Sequence, residues 1–214
     1  MSEAVVLVLG TRNRKKAAEL IELLDIPGLR LATLADFPQA IDVLEDGATF
    51  AENAEKKAVQ QAQHLAMWVL GEDSGLQVDA LQGRPGVFSA RYAGPEATDE
   101  RNNQKLLAEL EGVPLPQRTA CYVCSIAVAD PQGKLRARAQ GCCHGRIALQ
   151  PRGTAGFGYD PLFEIPEYHR TLGELGPVVK SVLSHRRRAI EQLLGPLRAL
   201  LPEMAAAAPQ RAGG

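Results

Sequence analysis

The sequence has no long apolar run and no excess of either charge. Its first apolar stretch, Ala4–Leu9, falls far short of the ~20 residues that a bilayer crossing needs. No cationic stretch precedes it, so it does not read as the apolar segment of a signal peptide. A cytoplasmic protein with no membrane partner is the expectation. With 24 Lys and Arg against 25 Asp and Glu, the net charge is -1. Non-specific nucleic-acid binding rests on a cationic surface, so a nucleic-acid partner is not expected. A local basic pocket stays open. Cysteine is scarce too: Cys121, Cys124, Cys142 and Cys143 complete the set. Cys121 and Cys124 are three apart in a strand-like segment, and Cys142 and Cys143 are adjacent in another. Both spacings put the side chains on opposite faces, where they do not grip one metal. They read as free thiols packed as small apolar groups.

What is present is ordinary globular composition, 45% hydrophobic and 23% charged over 214 residues, enough for a sizeable core. No internal repeat is evident. Residues 1–204 read as one α/β domain with two lobes, and 205–214, rich in Ala, then Pro and Gly, as a disordered tail. Ala4–Leu9 reads as a buried strand and Lys15–Leu24 as a helix. Leu29–Leu34 is a second strand, and Phe50–Leu65 a long alanine-rich helix. Met67–Leu70 and Leu76–Leu81 read as strands on either side of an acidic turn. Thr98 is placed to cap a helix reaching Glu111. Asp130-Pro131-Gln132-Gly133 is a hairpin turn between Arg118–Ala129 and Lys134–Gly145. Val178–Leu200 is helical in pattern, with interruptions near Ser184 and at Gly195-Pro196. Strands alternating with helices early and an antiparallel pair later predict a mixed sheet with helices packed on it.

Several segments carry chemistry. Gly10-Thr11-Arg12-Asn13-Arg14-Lys15-Lys16 joins a strand to a helix, where backbone N–H groups and nearby cations suit a phosphate. It lacks the second glycine and the Lys-Ser/Thr ending of a Walker loop. Glu45, in a turn before the long helix, is a candidate ligand for a hard cation. Glu52 and Lys56 read as a surface ion pair at helical spacing. Glu72-Asp73-Ser74-Gly75 places two carboxylates after an apolar strand. Their repulsion would be relieved by Mg²⁺, one acid holding metal while the other activates water. An acidic turn capping its own backbone would look the same. In the loop 154–161, Phe157 lies between Gly156 and Gly158, open to stacking by a planar base at ~1–3 kcal/mol; a core-filling Phe is the alternative. Lys180, Ser181, Ser184 and His185-Arg186-Arg187-Arg188 bring donors together near a helix start, though an arginine run is also a common solvated face.

The order of these motifs resembles the inosine triphosphate pyrophosphatase family, also described as dITP/XTP pyrophosphatases. The resemblance rests on Thr11–Lys16, Glu45–Lys57, Glu72–Leu76, Ser89–Gly94, Gly156–Pro161 and Lys180–Arg186. These six segments, in family order, span nearly the whole chain up to about Leu200. The resemblance implies a mixed α/β fold, two lobes around a deep cleft, a homodimer and Mg²⁺. It implies cleavage of ITP, dITP and XTP to monophosphate and pyrophosphate. It places the general base on Asp73 and the metal-linked acids on Glu45 and Asp73, with Glu72 beside them. Phosphate contacts fall on Thr11, Asn13, Lys16, Lys57 and Ser74, with Arg12, Arg14 and Lys15 in the same loop. Base and sugar contacts fall on Phe157, Gly158, Tyr159, Asp160, Lys180, His185 and Arg186. Three positions depart from the family pattern: Arg12 stands where glycine is common, Asp46 where threonine is, and Gly176–Val179 precedes Lys180 where acids are usual. A Maf-like pyrophosphatase of other base specificity and a non-catalytic nucleotide-binding regulator are the alternatives.

Overall fold

The computed structural model describes residues 5–206. Its frame is a seven-stranded mixed sheet. Strand β1, Val5–Leu9, is apolar and almost wholly buried, so it takes an inner position. It pairs in parallel with β2, Leu29–Thr33, on one side and β3, Val69–Val78, on the other. Helix α1, Arg14–Leu23, makes the crossover between β1 and β2. Its start is fixed by Asn13, whose side chain accepts from the amides of Lys15 and Lys16 at 3.0 and 3.2 Å. Helix α2, Phe50–Leu65, opens with a reciprocal cap between Thr49 and Glu52 and ends at Ala66 in the left-handed region.

The remaining strands are antiparallel. β4, Thr119–Ala129, and β5, Leu135–Ile147, form the long hairpin around Asp130. Asp130 closes the turn by accepting from the amides of Gln132 and Lys134. Two short strands that the sequence did not reveal, β6 (Phe163–Ile165) and β7 (Arg170–Thr171), finish the order β2-β1-β3-β4-β5-β6-β7. Helix α3, Asp99–Glu109, starts at the Thr98 cap as expected. Helices α4, Leu172–Leu183, and α5, His185–Ala206, meet at Ser184, whose Oγ accepts from the amide of Arg187.

Four sequence expectations need correction. The Glu72–Gly75 segment is not a turn: β3 runs unbroken through it, paired residue for residue with β4. Ten paired positions along β3 and β4 outweigh the turn preferences of Asp, Ser and Gly, because a buried backbone must satisfy its polar groups. The second interruption of the late helix is absent as well. α5 continues through Pro196, held by buried Leu193 and Leu197 on either side. Glu52 does not pair with Lys56; it accepts from the amides of Ala48 and Thr49, while Lys56 meets Asp46. Finally, the helix reaches Ala206, past the expected boundary at 204, and the rest of the expected tail, 207–214, lies outside the described residues.

The long strands β3 and β4 carry different cores along their length. One packs Leu7, Leu9, Leu70, Cys124 and Ile126 against α1 and α5. On the opposite face Val8, Val69, Ala127 and Ala129 meet Ala54, Ala58 and Ala62 of α2. Toward the other end, Leu76, Val78, Tyr122 and Phe163 pack with Leu106 and Leu110 from α3 and its end. The alanines and Gly71 let α2 lie very close to β3: a Cβ at Gly71 would overlap the Ala54 carbonyl and the Ala58 amide. Cys124 and Cys143 are buried in these cores, whereas Cys121 and Cys142 line a cavity on one sheet face, and all four thiols are free.

Candidate active site

Because β3 is continuous, its side chains alternate between faces. Glu72 and Ser74 point toward α1 and α5, where Arg186 donates to Glu72 Oε1 at 3.0 Å and to Ser74 Oγ at 3.1 Å. Asp73 points the other way, to α2. Its Oδ2 accepts from Asn53 Nδ2 at 3.1 Å, and its Oδ1 lies 3.3 Å from Lys57 Nζ. The two adjacent acids therefore do not confront each other across a turn. Glu72 is neutralised by Arg186 and by Lys16 at 3.1 Å, and it lies behind the cleft rather than lining it.

Two cavities meet at this strand. One, of about 290 Å³, is lined by Thr11, Arg12, Asn13, Lys16, Asp42, Glu45, Lys57, Asp73, Ser74 and Arg91. The other, of about 240 Å³, is lined by Phe157, Gly158, Tyr159, Asp160, Lys180, His185 and Arg186, with Ser89, Asp99 and Asn102. Asn13, Lys16, Ser74 and Ala90 border both, so the cavities form one cleft with a cationic end and an aromatic end. Arg14 and Lys15 line neither. Lys15 reaches the rim, 5.3 Å from the Phe157 ring centre and 3.5 Å from Asp99. A larger cavity of about 710 Å³ lies on the α2 side of the sheet, lined by Thr49, Phe50, Gln77, Asp79, Cys121, Cys142 and His144 among others. It has no Lys or Arg in its lining, which leaves it without the cations that a polyphosphate requires.

Burial and charge set the ionisation of the site. Burial raises the Asp73 carboxyl above its ordinary range, opposed by Lys57 and Lys16. Burial acts against the Lys57 ammonium, but Asp73 and Glu45 outweigh it and hold Lys57 in its charged form. At Glu72 burial is outweighed by Lys16 and Arg186, which keep the carboxyl well below the usual carboxylate range. His185 is fully buried, stacked on Tyr122 with ring centres 4.8 Å apart; burial, with Arg186 adjacent, lowers its pKa well below the ordinary value. Its Nδ1 and the Nε of Arg186 have no hydrogen-bond partner among the described residues.

At the aromatic end, the loop amides are engaged within the protein. Phe157 N donates to Asp160 Oδ2, Gly158 N to Asp99 Oδ2 and Tyr159 N to the Tyr122 hydroxyl. Lys180 Nζ bridges Asp160 and Glu19 at 2.8 and 3.0 Å and lies 4.2 Å from the Phe157 ring centre. Burial raises the Asp160 carboxyl, opposed by that lysine. Phe157 is thus a partly exposed ring at the cleft rather than a core filler.

The family model described as the Ham1 family matches residues 7–195. The chain belongs to the Ham1 family. It is 53% identical over 201 residues to a dITP/XTP pyrophosphatase of Rhodopirellula baltica, covering 94% of this chain and 97% of the relative. It is 48% identical to the dITP/XTP pyrophosphatase of Desulforamulus reducens, covering 88% and 93% respectively. Among solved structures, a HAM1 protein from Coxiella burnetii superposes with a TM-score of 0.83 at 40% identity, covering 91% of this chain and 99% of that one. The Staphylococcus aureus Ham1 protein gives 0.82 at 36% identity, covering 91% and 98%. The mixed α/β fold and the family resemblance read in the sequence both hold.

In this Ham1-family chain the cleft also uses residues to which sequence reasoning gave no role. Asn53 is fully buried and links Asp73 to the Gly47 amide through its two amide atoms. Its signal was its place one helical turn before Lys57, on the α2 face that meets β3. Asn102 binds Ser89 O, Ala90 O and Ala93 N, and Asp99 ties the aromatic loop to α3. Both belong to the first turn of α3, where acids and amides ordinarily read only as helix-start signals.

For a divalent cation, the donor set that fits is Glu45 with Asp73. Their carboxylates converge on the Lys57 ammonium at 3.1 and 3.3 Å, and both line the cationic cavity. Oxygen donors of this kind suit Mg²⁺, which is commonly held by one or two carboxylates with retained waters and substrate phosphates. Among the described residues there is no group of three or more His, Cys, Asp or Glu placed to cage a metal without such help.

Proposed function

We propose that the chain hydrolyses non-standard purine nucleoside triphosphates (ITP, dITP and XTP) to the monophosphate and pyrophosphate. The observation that carries this reading is the position of Asp73. It is a buried carboxyl made more basic by burial, at the cationic half of a cleft whose other half is aromatic. Water attacks the α-phosphorus, and Asp73 orients that water and accepts its proton, a role that contributes ~10²–10⁴-fold. Asn53 fixes the Asp73 carboxylate. Lys57 and Lys16 offset charge on the leaving pyrophosphate, the main electrostatic demand of such a transfer. Mg²⁺ held by Glu45 and Asp73 supplies further neutralisation of phosphate charge when bound.

The purine lies against Phe157. Hypoxanthine and xanthine present an acceptor oxygen at C6, where adenine presents an amine. The partnerless Arg186 Nε, a donor, and His185 Nδ1 belong to residues lining that half. Adenine would leave buried donors opposed, and sites built on buried hydrogen bonds reject such analogues by ~10⁴–10⁵.

The reading extends to a single α/β domain with two lobes, working as a cytoplasmic homodimer; sedimentation analysis checks the assembly. No helix among the described residues is long and apolar enough to cross a membrane. The test offers ITP, XTP, GTP, ATP and dTTP with and without Mg²⁺, and measures pyrophosphate separately from phosphate. Asp73→Asn is expected to lose at least ~10²-fold in kcat with nucleotide binding retained. Wild-type turnover in that variant would remove Asp73 as the base.

A further inference from the structure

The segment Ser89–Gly94 belongs to the sequence pattern, yet nothing above gives its arginine a task. Arg91 lines the cationic cavity beside Thr11, Lys16, Lys57 and Asp73. Four cations line that cavity, and three are matched to carboxylates: Arg12 to Asp42, Lys16 to Glu72, and Lys57 to Glu45 and Asp73. Among the described residues Arg91 has no carboxylate partner within 4.0 Å. The cations of the aromatic half, Lys180 and Arg186, are also paired. Arg91 is thus the cleft cation whose charge the protein leaves unanswered.

Its placement is nonetheless fixed. Arg91 Nη2 donates to the Glu45 backbone carbonyl at 3.3 Å, and its guanidinium lies 5.2 Å from the Phe88 ring centre. Asn102 holds the surrounding backbone through Ser89 O, Ala90 O and Ala93 N. The contact with the Glu45 carbonyl also ties the guanidinium to the backbone of a residue that lines the same cavity. A guanidinium fork matches two phosphate oxygens at once, which an ammonium does not.

We propose that Arg91 is a specificity-determining contact for the pyrophosphate half of the substrate, separating nucleoside triphosphates from monophosphates. This inference rests on the proposed pyrophosphatase reading and adds a residue to it. The experiment measures binding without turnover. Inorganic pyrophosphate and inosine monophosphate are titrated calorimetrically, with Mg²⁺ present, into wild type, Arg91→Ala and Arg91→Lys. A charge-assisted pair of this kind is expected to weaken pyrophosphate binding by roughly 10–100-fold in Arg91→Ala. Arg91→Lys should fall between that variant and wild type, and inosine monophosphate affinity should stay unchanged. Arg91 is exposed, so melting temperatures should match across the three proteins, and Arg91→Lys carries the test if the alanine variant is unstable. Unchanged pyrophosphate affinity in both variants would overturn the proposal. So would an equal loss for both ligands, which would make Arg91 a prop for the cleft as a whole. Nucleotide turnover by the unaltered chain, assayed separately, decides the underlying reading: absent turnover with Arg91-dependent pyrophosphate binding refutes the enzyme while retaining the contact.

Discussion

Replacing Arg186 with methionine probes the charge arrangement beneath the cleft. Arg186 is 1% exposed and joins Glu72, Ser74 and Glu19. Without it Glu72, whose side chain is wholly buried, keeps one ion-pair partner, Lys16 at 3.1 Å, and the weak Cys124 thiol donor. Breaking a buried ion pair by removing one partner costs ~3–5 kcal/mol. In a chain of this size each kcal/mol moves the thermal midpoint by ~2–4 °C, so a fall of ~6–20 °C is expected. The effect has a pH signature. The folded-state pKa of Glu72 is depressed, so its stabilisation is present above the unfolded carboxyl value and is lost as pH falls through the folded one. Arg186→Met should therefore begin acid unfolding at a higher pH than wild type. Urea denaturation of Glu72→Gln, Arg186→Met and the double variant, followed by the fluorescence of buried Trp68, closes a cycle. The double variant should recover ~1–3 kcal/mol relative to additivity, because neither charge of the Glu72–Arg186 pair is left facing the other's absence. Losses that add within ~0.5 kcal/mol would show that the pair is not energetically coupled, and the reasoning would fail.

Two further variants test other parts of the site. Gly71→Ala should cost ~1–3 kcal/mol by overpacking α2 against β3, and it should lower kcat because the same contact sets Asp73 beside Lys57; a urea midpoint and turnover equal to wild type would remove that link. His185 is buried and neutral, so the unfolded chain takes up a proton below pH ~6.5 that the folded chain refuses. Wild type should lose ~1.4 kcal/mol per pH unit beneath that point from this group, a slope that His185→Gln should flatten in denaturation curves recorded from pH 7 to 5.

Much of the fold was legible because its signals are local. Phe50–Leu65 was read to the residue, since its capping threonine and alanine-rich face are both sequence features. The hairpin around Asp130 and the start of α3 were legible for the same reason. The acidic segment misled because Asp, Ser and Gly favour turns locally, whereas pairing with β4 is set by residues some fifty positions away. That error mattered chemically. In a turn, Glu72 and Asp73 share a site; in a strand, they serve opposite faces, and the sharing of roles changes with them. β6 and β7 were too short to leave a period. Composition and spacing showed Arg186 as one of an arginine run, and the resemblance as a base or sugar contact; its burial follows from carboxylates on α1 and β3 that no spacing rule connects to it. Arg91, Asn53 and Asp99 share this character, their roles being defined by what lies opposite them in space.

The distribution of charge in the cleft bears on the need for a metal. Along the sheet face toward α1 and α5, Asp160, Lys180, Glu19, Arg186, Glu72 and Lys16 form an alternating chain, acid against base, linking the aromatic end to the cationic one. Such a chain is self-neutral, so it orients groups without offering net charge to a ligand. The cationic end is little different. Arg12, Lys16, Lys57 and Arg91 are set against Asp42, Glu45, Asp73 and, behind them, Glu72. Four cations facing four carboxylates cannot by themselves neutralise a triphosphate. Lys57 is committed to the buried Asp73 and the partly exposed Glu45, so its charge is already answered within the protein. A divalent cation held by Glu45 and Asp73 would add the missing positive charge. On the proposed reading this balance favours Mg²⁺ at Glu45 and Asp73, and Arg91, without a carboxylate within 4.0 Å among the described residues, is the cleft cation left to meet a phosphate.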